Sequence, residues 1–230
     1  MSLILSLETA TPVCSVALHK EGKLVGLNEL HLSQSHSALL GVLVEDVIRY
    51  AGYSLSDIDL IAVSKGPGSY TGLRIGTASA KGLCFALDIP LVAVNTLEAM
   101  AYGVARYRVE ESYLCPMIDA RRMEVYTLVV DHQMNTIMPT RPVVVEDGAF
   151  EELIKDRYFL FFGDGAAKCI NTLCVTSNAK FIDNITPSAE NIGALAYQMQ
   201  KENKLVYEDL AYFEPFYLKE FATKQPKAKV

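Results

Sequence analysis

Residues 66–74 carry the pattern in this sequence that is best suited to binding chemistry. They read Gly-Pro-Gly-Ser-Tyr-Thr-Gly-Leu-Arg and join an apolar segment to a segment of small residues. Glycine permits positive φ and close backbone approach, and a helix N-terminus presents free N–H groups to an anion. The Gly-Lys-Ser/Thr ending of a Walker loop is absent. The pattern predicts either a phosphate-binding loop or a capped structural turn, and both interpretations stay open. The candidate phosphate-binding residues are Gly66, Gly68, Ser69 and Thr71.

Two shorter segments offer groups of the same kind. Glu8 is followed by Thr9 and Thr11, and a carboxylate with neighbouring hydroxyls can hold a metal-bound water and a phosphate. A turn that satisfies its own polar groups is the simpler interpretation of these residues. Residues 163–165, which are Gly163, Asp164 and Gly165, can cap a helix that faces a nucleotide or can only turn the chain.

Residues 119–126 concentrate charge between two apolar segments. A solvated loop with ion pairs is the default interpretation, and such surface pairs contribute little stability. The alternative is a contact with phosphate or with an acidic partner, because arginine binds both through paired hydrogen bonds. The candidates for such a contact are Asp119, Arg121 and Glu124.

The sequence predicts no catalytic group of residues and no metal site. The four histidines, which include His31 and His36, form neither H-x-x-x-H nor H-E-x-x-H, and no C-x-x-C pair is present. No nucleophile elbow occurs either. The five cysteines are scattered through apolar surroundings and are expected to be reduced core residues of a cytoplasmic protein.

The elements that position the glycine-rich segment form an alternating pattern. Apolar runs at 2–8, 13–19 and 24–32 predict three antiparallel strands, and a helix follows at 35–51. Strand, helix, strand and helix then follow at 58–64, 71–87, 89–94 and 96–107. This order is typical of an α/β protein whose mixed sheet joins three antiparallel strands to parallel ones.

The second half of the chain repeats this opening weakly. Strands are predicted at 113–119, 124–131, 137–145 and 158–162, with a short helix at 150–155 and a longer one at 188–203. Two openings of three strands, about a hundred residues apart, suggest a duplicated architecture. We therefore expect one lobe at 1–107 and a smaller, more divergent lobe at 108–230.

The helix predicted at 35–51 has an unusually wide apolar face. At about 100° per residue its apolar residues fill an arc of about 160°, against about 100° for a helix on one sheet. The following helix carries Gly72, Gly76 and Ala80 at intervals of four. Small residues let another backbone approach closely. Another part of the same chain and a partner subunit are both candidates for the second neighbour.

Composition excludes several classes of protein. The chain has 230 residues, of which 50% are hydrophobic, and a formal net charge of −6. This excludes intrinsic disorder and argues against a stand-alone nucleic-acid binder, which normally carries a basic face. No apolar run is long enough for a transmembrane helix or, at the N-terminus, for a secretory signal, so we expect neither.

Taken together, these segments resemble the bacterial TsaB family, also called YeaZ. The resemblance runs along essentially the whole chain in order. It rests on Ile4-Leu-Ser-Leu-Glu-Thr-Ala-Thr, Ser15-Val-Ala-Leu, Ser35-His-Ser, residues 66–76, Ala93-Val-Asn-Thr-Leu-Glu, Ile118-Asp-Ala-Arg-Arg-Met-Glu-Val-Tyr and Pro215-Phe-Tyr-Leu. It implies an actin-like ATPase (ASKHA, ribonuclease H-like) fold with two related lobes.

The resemblance also implies a role in tRNA modification. Members of this family are non-catalytic partners of TsaD, which transfers a threonylcarbamoyl group to tRNAs that read codons beginning with A, and the ATPase TsaE joins the pair. The resemblance further implies a homodimer when TsaD is absent, no intrinsic cofactor, ATP or ADP at the interface with TsaD, and tRNA contact only through the complex. TsaD binds metal through two histidines, where this chain has Thr96 and Met100. A thioether is a poor ligand for a hard or borderline metal.

The family is thought to bind its partners through the first two helices of the N-terminal lobe. The candidate partner-binding residues on those helices are His36, Leu39, Leu40, Leu43, Val47, Leu73, Gly76 and Ala80. Two other classes of function remain as alternatives. One is a metalloprotease, which the missing H-x-x-x-H pattern disfavours, and the other is a weak nucleotide-binding module that uses residues 66–72 and 163–165.

Overall fold

The computed structural model describes residues 2–32, 36–107, 111–146, 149–150, 157–173 and 177–219. Its strands form two sheets of five. The first sheet contains β1 (Leu3–Glu8), β2 (Cys14–Lys20), β3 (Lys23–Leu30), β4 (Leu60–Gly66) and β5 (Leu91–Asn95). The second contains β6 (Ser112–Asp119), β7 (Glu124–Val130), β8 (Thr136–Val144), β9 (Tyr158–Phe162) and β10 (Ala179–Ile182).

The two sheets have the same topology. The spatial order is β3-β2-β1-β4-β5 in the first sheet and, read in the matching direction, β8-β7-β6-β9-β10 in the second. In each sheet the first three strands pair antiparallel, and the last two extend the sheet in parallel from its first strand. The duplication that the sequence suggested weakly is therefore complete at the level of strand order.

The helices match the predicted ones within a few residues. They are α1 (His36–Tyr50), α2 (Tyr70–Leu87), α3 (Thr96–Ala105) and, after a single turn α4 (Ile170–Leu173) for which no bounds were predicted, α5 (Ala189–Lys201). Short 3-10 turns at Leu55–Asp57 and Ala167–Cys169 were not predicted either. Side chains that cap the N-termini mark three starts. Ser69 accepts a hydrogen bond from the Gly72 amide, Asn95 from the Leu97 and Glu98 amides, and Ser188 from the Glu190 amide. The helix predicted at 150–155 falls almost entirely outside the described residues.

The first sheet is covered on both faces. All six residues of β1 are buried. Because side chains alternate along a strand, Leu5 and Leu7 pack in the core under α1 and α2, whereas Ile4 packs with Ile192 of α5. A strand buried on both faces has a nearly continuous apolar sequence, as β1 does apart from Ser6 and Glu8.

The C-terminal part of the chain returns to the first sheet. Helix α5 packs on β1 and β2, Val92 forms an antiparallel bridge with Tyr207, and Phe213 lies in the core beneath α1 and α2. The lobe boundary expected at residue 107 stays a prediction. Helix α5 belongs to the second half of the chain but packs on the first sheet. No helix among the residues described above is long and apolar enough to span a membrane.

The second sheet has an aromatic core. Phe159 and Phe161 of β9 are fully buried, and their rings stack with centroids 5.6 Å apart. Phe181 of β10 stacks on Phe161 at 5.2 Å. The sequence analysis did not predict β10, whose four residues are only partly buried or exposed and lack a clear alternation.

Candidate functional site

The glycine-rich loop of residues 66–72 packs directly on the turn of residues 8–11. We call this pair of segments the first corner. The Ser69 amide donates to the Ala10 carbonyl at 2.6 Å. The Thr9 hydroxyl donates to the Gly72 carbonyl at 2.8 Å. Thr11 is also buried, and its carbonyl oxygen lies 2.8 Å from the His36 imidazole Nε2. The candidate residues of both segments thus meet at the carboxyl ends of β1 and β4.

Glycine is required in this loop by contact with the chain itself. A Cβ atom added at Gly68 would lie 2.3 Å from the Ala10 carbonyl oxygen. One added at Gly72 would lie 2.1 Å from the Thr9 carbonyl oxygen, and one at Gly76 would lie 2.3 Å from the Thr9 hydroxyl. Real Cβ atoms do not approach so closely, so the small residues make room for residues 9 and 10. This accounts for the stripe of small residues on α2, and the predicted phosphate-binding role of the loop stays a prediction.

Glu8 is the strongest electrostatic feature of the first corner. Its side chain is fully buried, and its Oε1 accepts a hydrogen bond from the Ala10 amide at 2.6 Å. Its Oε2 has no hydrogen-bond partner within the described part of the chain. Burial raises the pKa of this carboxyl to about 7, because the charged form loses its hydration. Glu8 therefore titrates near neutral pH inside the fold.

A second corner lies at the matching place in the second sheet, where residues 119–124 meet residues 163–168. The Asp164 carboxylate accepts from the Asp119 amide at 3.1 Å, and the Asp119 carboxylate accepts from the Arg121 amide at 2.8 Å. The Lys168 ammonium pairs with Asp119 and donates to the Glu124 carbonyl at 2.7 Å. Gly163 has φ +101°, and a Cβ there would lie 2.2 Å from the Met117 carbonyl oxygen. Gly165 approaches the Ile118 backbone in the same way.

The two aspartates of the second corner have opposite electrostatics. Burial disfavours the charged form of Asp119, but the Lys168 ammonium and the Arg121 amide outweigh it, so the pKa of Asp119 lies below its ordinary value. Burial dominates at Asp164 and raises its pKa. The Arg121 and Arg122 side chains are exposed on a turn where both residues have positive φ. The prediction of a tRNA or partner contact here stays untested.

Residues 214–219, which we call the C-terminal segment, connect the two corners. The Phe216 amide donates to the Lys65 carbonyl at 2.7 Å, beside the glycine-rich loop. Three residues later the Lys219 ammonium pairs with the Glu124 carboxylate. Composition and periodicity gave no signal for this segment, which the sequence analysis noticed only through the Pro215-Phe-Tyr-Leu block.

The exposed surface of α1 and α2 contains a groove of about 810 Å³. Apolar side chains line much of it, and Glu45 and Arg49 supply charge. Gly41 and Gly82 open onto it, and a side chain added at either meets no atom within 4 Å. The groove is lined by Leu40, Gly41, Val44, Glu45, Ile48, Arg49, Tyr53, Leu55, Ser79, Gly82 and Leu83.

Most of the candidate partner-binding residues lie beneath this surface. The wide apolar arc of α1 faces β2, β3 and α2 of the same chain, which supply the second neighbour. Leu39 is half-buried and Leu40 lines the groove. The other candidates are buried beneath the helical surface, and their predicted contact with a partner stays a prediction. These buried residues are His36, Leu43, Val47, Leu73, Gly76 and Ala80.

Met100 lies in the apolar core beside the second corner, and Thr96 begins the same helix, α3. Both are almost completely buried, and a Cβ at Gly163 would lie 3.0 Å from the Met100 methyl carbon. Met100 packs with Leu97 and Phe162. Within the described part of the chain, no three His, Cys, Asp or Glu side chains are grouped to hold a metal ion.

Comparison with known proteins identifies the family. A family model described as TsaD, tRNA N6-adenosine threonylcarbamoyltransferase, matches residues 25–226. The tRNA threonylcarbamoyladenosine biosynthesis protein TsaB of Escherichia coli (strain K12) is 33% identical over 223 residues, covering 94% of each chain. The chain belongs to the TsaB (YeaZ) family. The TsaB of Bacillus subtilis (strain 168) is 34% identical over 163 residues, 70% of each chain.

Solved structures give the same result for the fold of this TsaB-family chain. YeaZ from Pseudomonas aeruginosa has a TM-score of 0.80 at 28% identity and covers 95% of this chain and 100% of its own. The ADPNP-bound activator of 2-hydroxyisocaproyl-CoA dehydratase from Clostridium difficile has a TM-score of 0.51 at 12% identity, covering 88% and 96%. At that identity the likeness concerns the fold alone. The predicted actin-like α/β fold is confirmed.

Proposed function

We propose that this chain takes part in threonylcarbamoyladenosine formation on tRNAs that read codons beginning with A. In this proposal it is the non-catalytic partner that binds and activates TsaD. The names of the TsaB relatives and the match to the TsaD family model support the pathway. The groove between α1 and α2 is the observation that carries the mode of action.

The groove has the shape and chemistry of a helix-binding surface. Its volume of about 810 Å³ and its apolar lining suit the apolar face of a partner helix. Val42 and Phe85 add apolar area on the exposed sides of the same two helices, with 50% and 83% of their surface exposed. Monomeric proteins rarely leave a continuous apolar area of this kind open to water. TsaD is the occupant that we propose.

The residues at Thr96 and Met100 support a non-catalytic role. These positions correspond to the two metal-binding histidines of TsaD by the resemblance of residues 94–100. Here they hold a buried hydroxyl and a buried thioether, of which the thioether packs in an apolar core. Neither donor suits the metal that imidazole ligands would bind.

Gly82 allows a test that separates folding from binding. The variant Gly82→Glu adds a long charged side chain at the groove, where a Cβ meets no neighbour, so the isolated chain is expected to fold normally. The matched control Gly82→Ala adds only a methyl group and improves helix propensity by about 0.5–1 kcal/mol. We expect Gly82→Glu to lose capture by TsaD, and Gly82→Ala to keep it.

The functional readout is reconstitution of the modification with cognate TsaD, TsaE and the enzyme that forms the threonylcarbamoyl adenylate. We expect full modification when either the wild-type chain or Gly82→Ala is added to the other proteins, and no modification by either chain alone. Folded Gly82→Glu is expected not to support modification. Full modification with Gly82→Glu would refute the groove as the docking surface. Full modification without the chain would refute the proposed role itself.

The rest of the proposal concerns the assembly. The same groove mediates a homodimer when TsaD is absent, TsaE joins the complex, ATP or ADP binds at the interface with TsaD, and tRNA is contacted only through the complex in the cytoplasm. Light scattering of wild-type and Gly82→Glu protein tests the homodimer. Calorimetry with ATP and ADP, on the chain alone and on the complex, tests whether nucleotide requires the partner.

A further inference from the structure

A pocket on the opposite side of α2 from the groove is lined by cations and aromatic rings. Its volume is about 470 Å³, within the range of small-ligand sites. Helix α2 forms one wall and the C-terminal segment forms the other. The lining residues are Tyr70, Arg74, Thr77, Ala78, Lys81, Glu214, Pro215 and Tyr217.

Three donors on α2 share this wall because of their spacing. Arg74, Thr77 and Lys81 are three and four residues apart, so they lie on one face of the helix. The Arg74 guanidinium uses Nη1 to donate to the Tyr70 hydroxyl at 2.7 Å, which holds it at the pocket. The Lys81 ammonium donates to the Ala211 and Phe213 carbonyl oxygens, at 3.4 and 3.2 Å.

Thr77 lines the pocket on the same helix face, between the two cations. Thr77 is 6% exposed, and its buried hydroxyl oxygen has no hydrogen-bond partner among the residues that the structure describes. A ligand oxygen that reached this hydroxyl would offset the cost of leaving it unpaired. The pocket also holds one opposing charge, the Glu214 carboxylate, against the two cations of Arg74 and Lys81.

The aromatic wall indicates what else the ligand carries. The rings of Tyr70 and Tyr217 lie with centroids 5.0 Å apart and planes tilted by 38°. Tyr217 keeps 38% of its surface exposed, so part of its ring is available to a flat apolar group. We propose that this pocket binds a phosphate monoester, with the phosphate at Arg74, Thr77 and Lys81 and a flat substituent against Tyr217.

Phosphate fits this donor set better than a carboxylate does. A phosphate monoester carries up to two negative charges and offers three terminal oxygens, enough for a guanidinium, a hydroxyl and an ammonium together. A carboxylate offers two oxygens and one charge. The formal charge of the whole chain is −6, so the local pair of cations is a departure from its surroundings.

Titration calorimetry of the isolated full-length chain tests the site with phenyl phosphate, inorganic phosphate and benzoate. We expect phenyl phosphate to bind most tightly and benzoate most weakly. Arg74→Gln and Lys81→Gln are each expected to weaken phenyl phosphate at least tenfold, because each removes a charge-assisted contact. Lys201→Gln removes a distant, exposed charge at the end of α5 and is expected to change nothing.

Two further variants separate the parts of the site. Tyr217→Leu is expected to remove the preference for phenyl phosphate over inorganic phosphate, and Thr77→Val to weaken both. Circular dichroism confirms that each variant is folded. No binding of phenyl phosphate to the wild-type chain, or equal weakening by Lys201→Gln, would overturn the proposal. The test needs no TsaD, so its outcome is separate from that of the proposed function.

Discussion

The buried carboxyl of Glu8 gives the chain a pH dependence that one substitution can isolate. In the folded chain the pKa of Glu8 is raised from 4.5 to about 7 by burial. Below about pH 4.5 the side chain is protonated in both states and costs nothing. As the pH rises, the unfolded chain ionises first, so the free energy of unfolding falls, and above about pH 7 the loss is complete. A pKa difference of this size between the folded and the unfolded chain lowers the free energy of unfolding by about 3 kcal/mol.

His19 opposes this dependence in the wild-type chain. It is buried, and burial lowers the pKa of its imidazole from 6.5 to about 4. The folded state therefore loses stability as the pH falls below about 6.5, the reverse of Glu8. Between about pH 4.5 and 6.5 the two slopes largely cancel. The substitution Glu8→Gln removes one slope and is expected to leave a stability that rises with pH across this window.

Chemical denaturation followed by circular dichroism, from about pH 4 to about pH 8.5, measures the difference between Glu8→Gln and wild type. We expect that difference to grow by about 3 kcal/mol in favour of the variant between about pH 4.5 and pH 8. A buried amide and a buried carboxylic acid offer different hydrogen-bonding groups at every pH, so the change of the difference with pH is the quantity to read. Glu45→Gln, on the exposed side of α1, is the control. Parallel profiles for Glu8→Gln and wild type would refute the assignment.

Two further predictions concern how the corners are built. Gly72→Ala places a Cβ 2.1 Å from the Thr9 carbonyl oxygen and is expected to destabilise the chain by about 1–3 kcal/mol, whereas Gly82→Ala, which meets no neighbour, is expected to be neutral or stabilising. Similar denaturation midpoints for the two variants would contradict this. Asn95→Ala removes the side chain that caps α3 through the Leu97 and Glu98 amides, and is expected to cost about 1 kcal/mol. An unchanged midpoint would mean that the cap contributes nothing.

Much of the fold could be predicted from the sequence because its strands and helices have strong patterns. The buried run of β1 and the wide apolar arc of α1 each reflect packing on two sides. Strand β10 was missed because its partly exposed residues give no period. The return of α5 to the first sheet could not be predicted either, since a helix pattern does not show which sheet the helix covers.

The site was harder to predict because the same pattern serves packing and binding. An apolar arc on α1 predicts contact without naming the neighbour, and the structure gives Leu43 and Val47 to the chain's own core. Gly41 and Gly82 open onto the groove. The apolar arc of α1 could not point to a glycine, and the small residues of α2 predicted close packing without showing which of them face outward. Glycine at Gly72 was noticed correctly as a place of close approach, but the approaching group is Thr9.

The repeated strand order explains why the two corners have similar backbone structures. An acidic residue ends the first strand of each sheet, Glu8 in β1 and Asp119 in β6. A glycine with nearly the same φ stands at the parallel neighbour, Gly66 at +105° and Gly163 at +101°.

The surroundings of these matching acids set their charge. The turn after β1 folds onto α2, and the burial of Glu8 raises the pKa of its carboxyl. In the second corner the Lys168 ammonium pairs with Asp119 and lowers the pKa of the Asp119 carboxyl. One backbone plan thus yields a proton-binding corner and an ion-paired corner. The C-terminal segment passes beside the first corner, where the Phe216 amide donates to the Lys65 carbonyl. Its Lys219 then pairs with Glu124 in the second corner, so this segment contacts both corners.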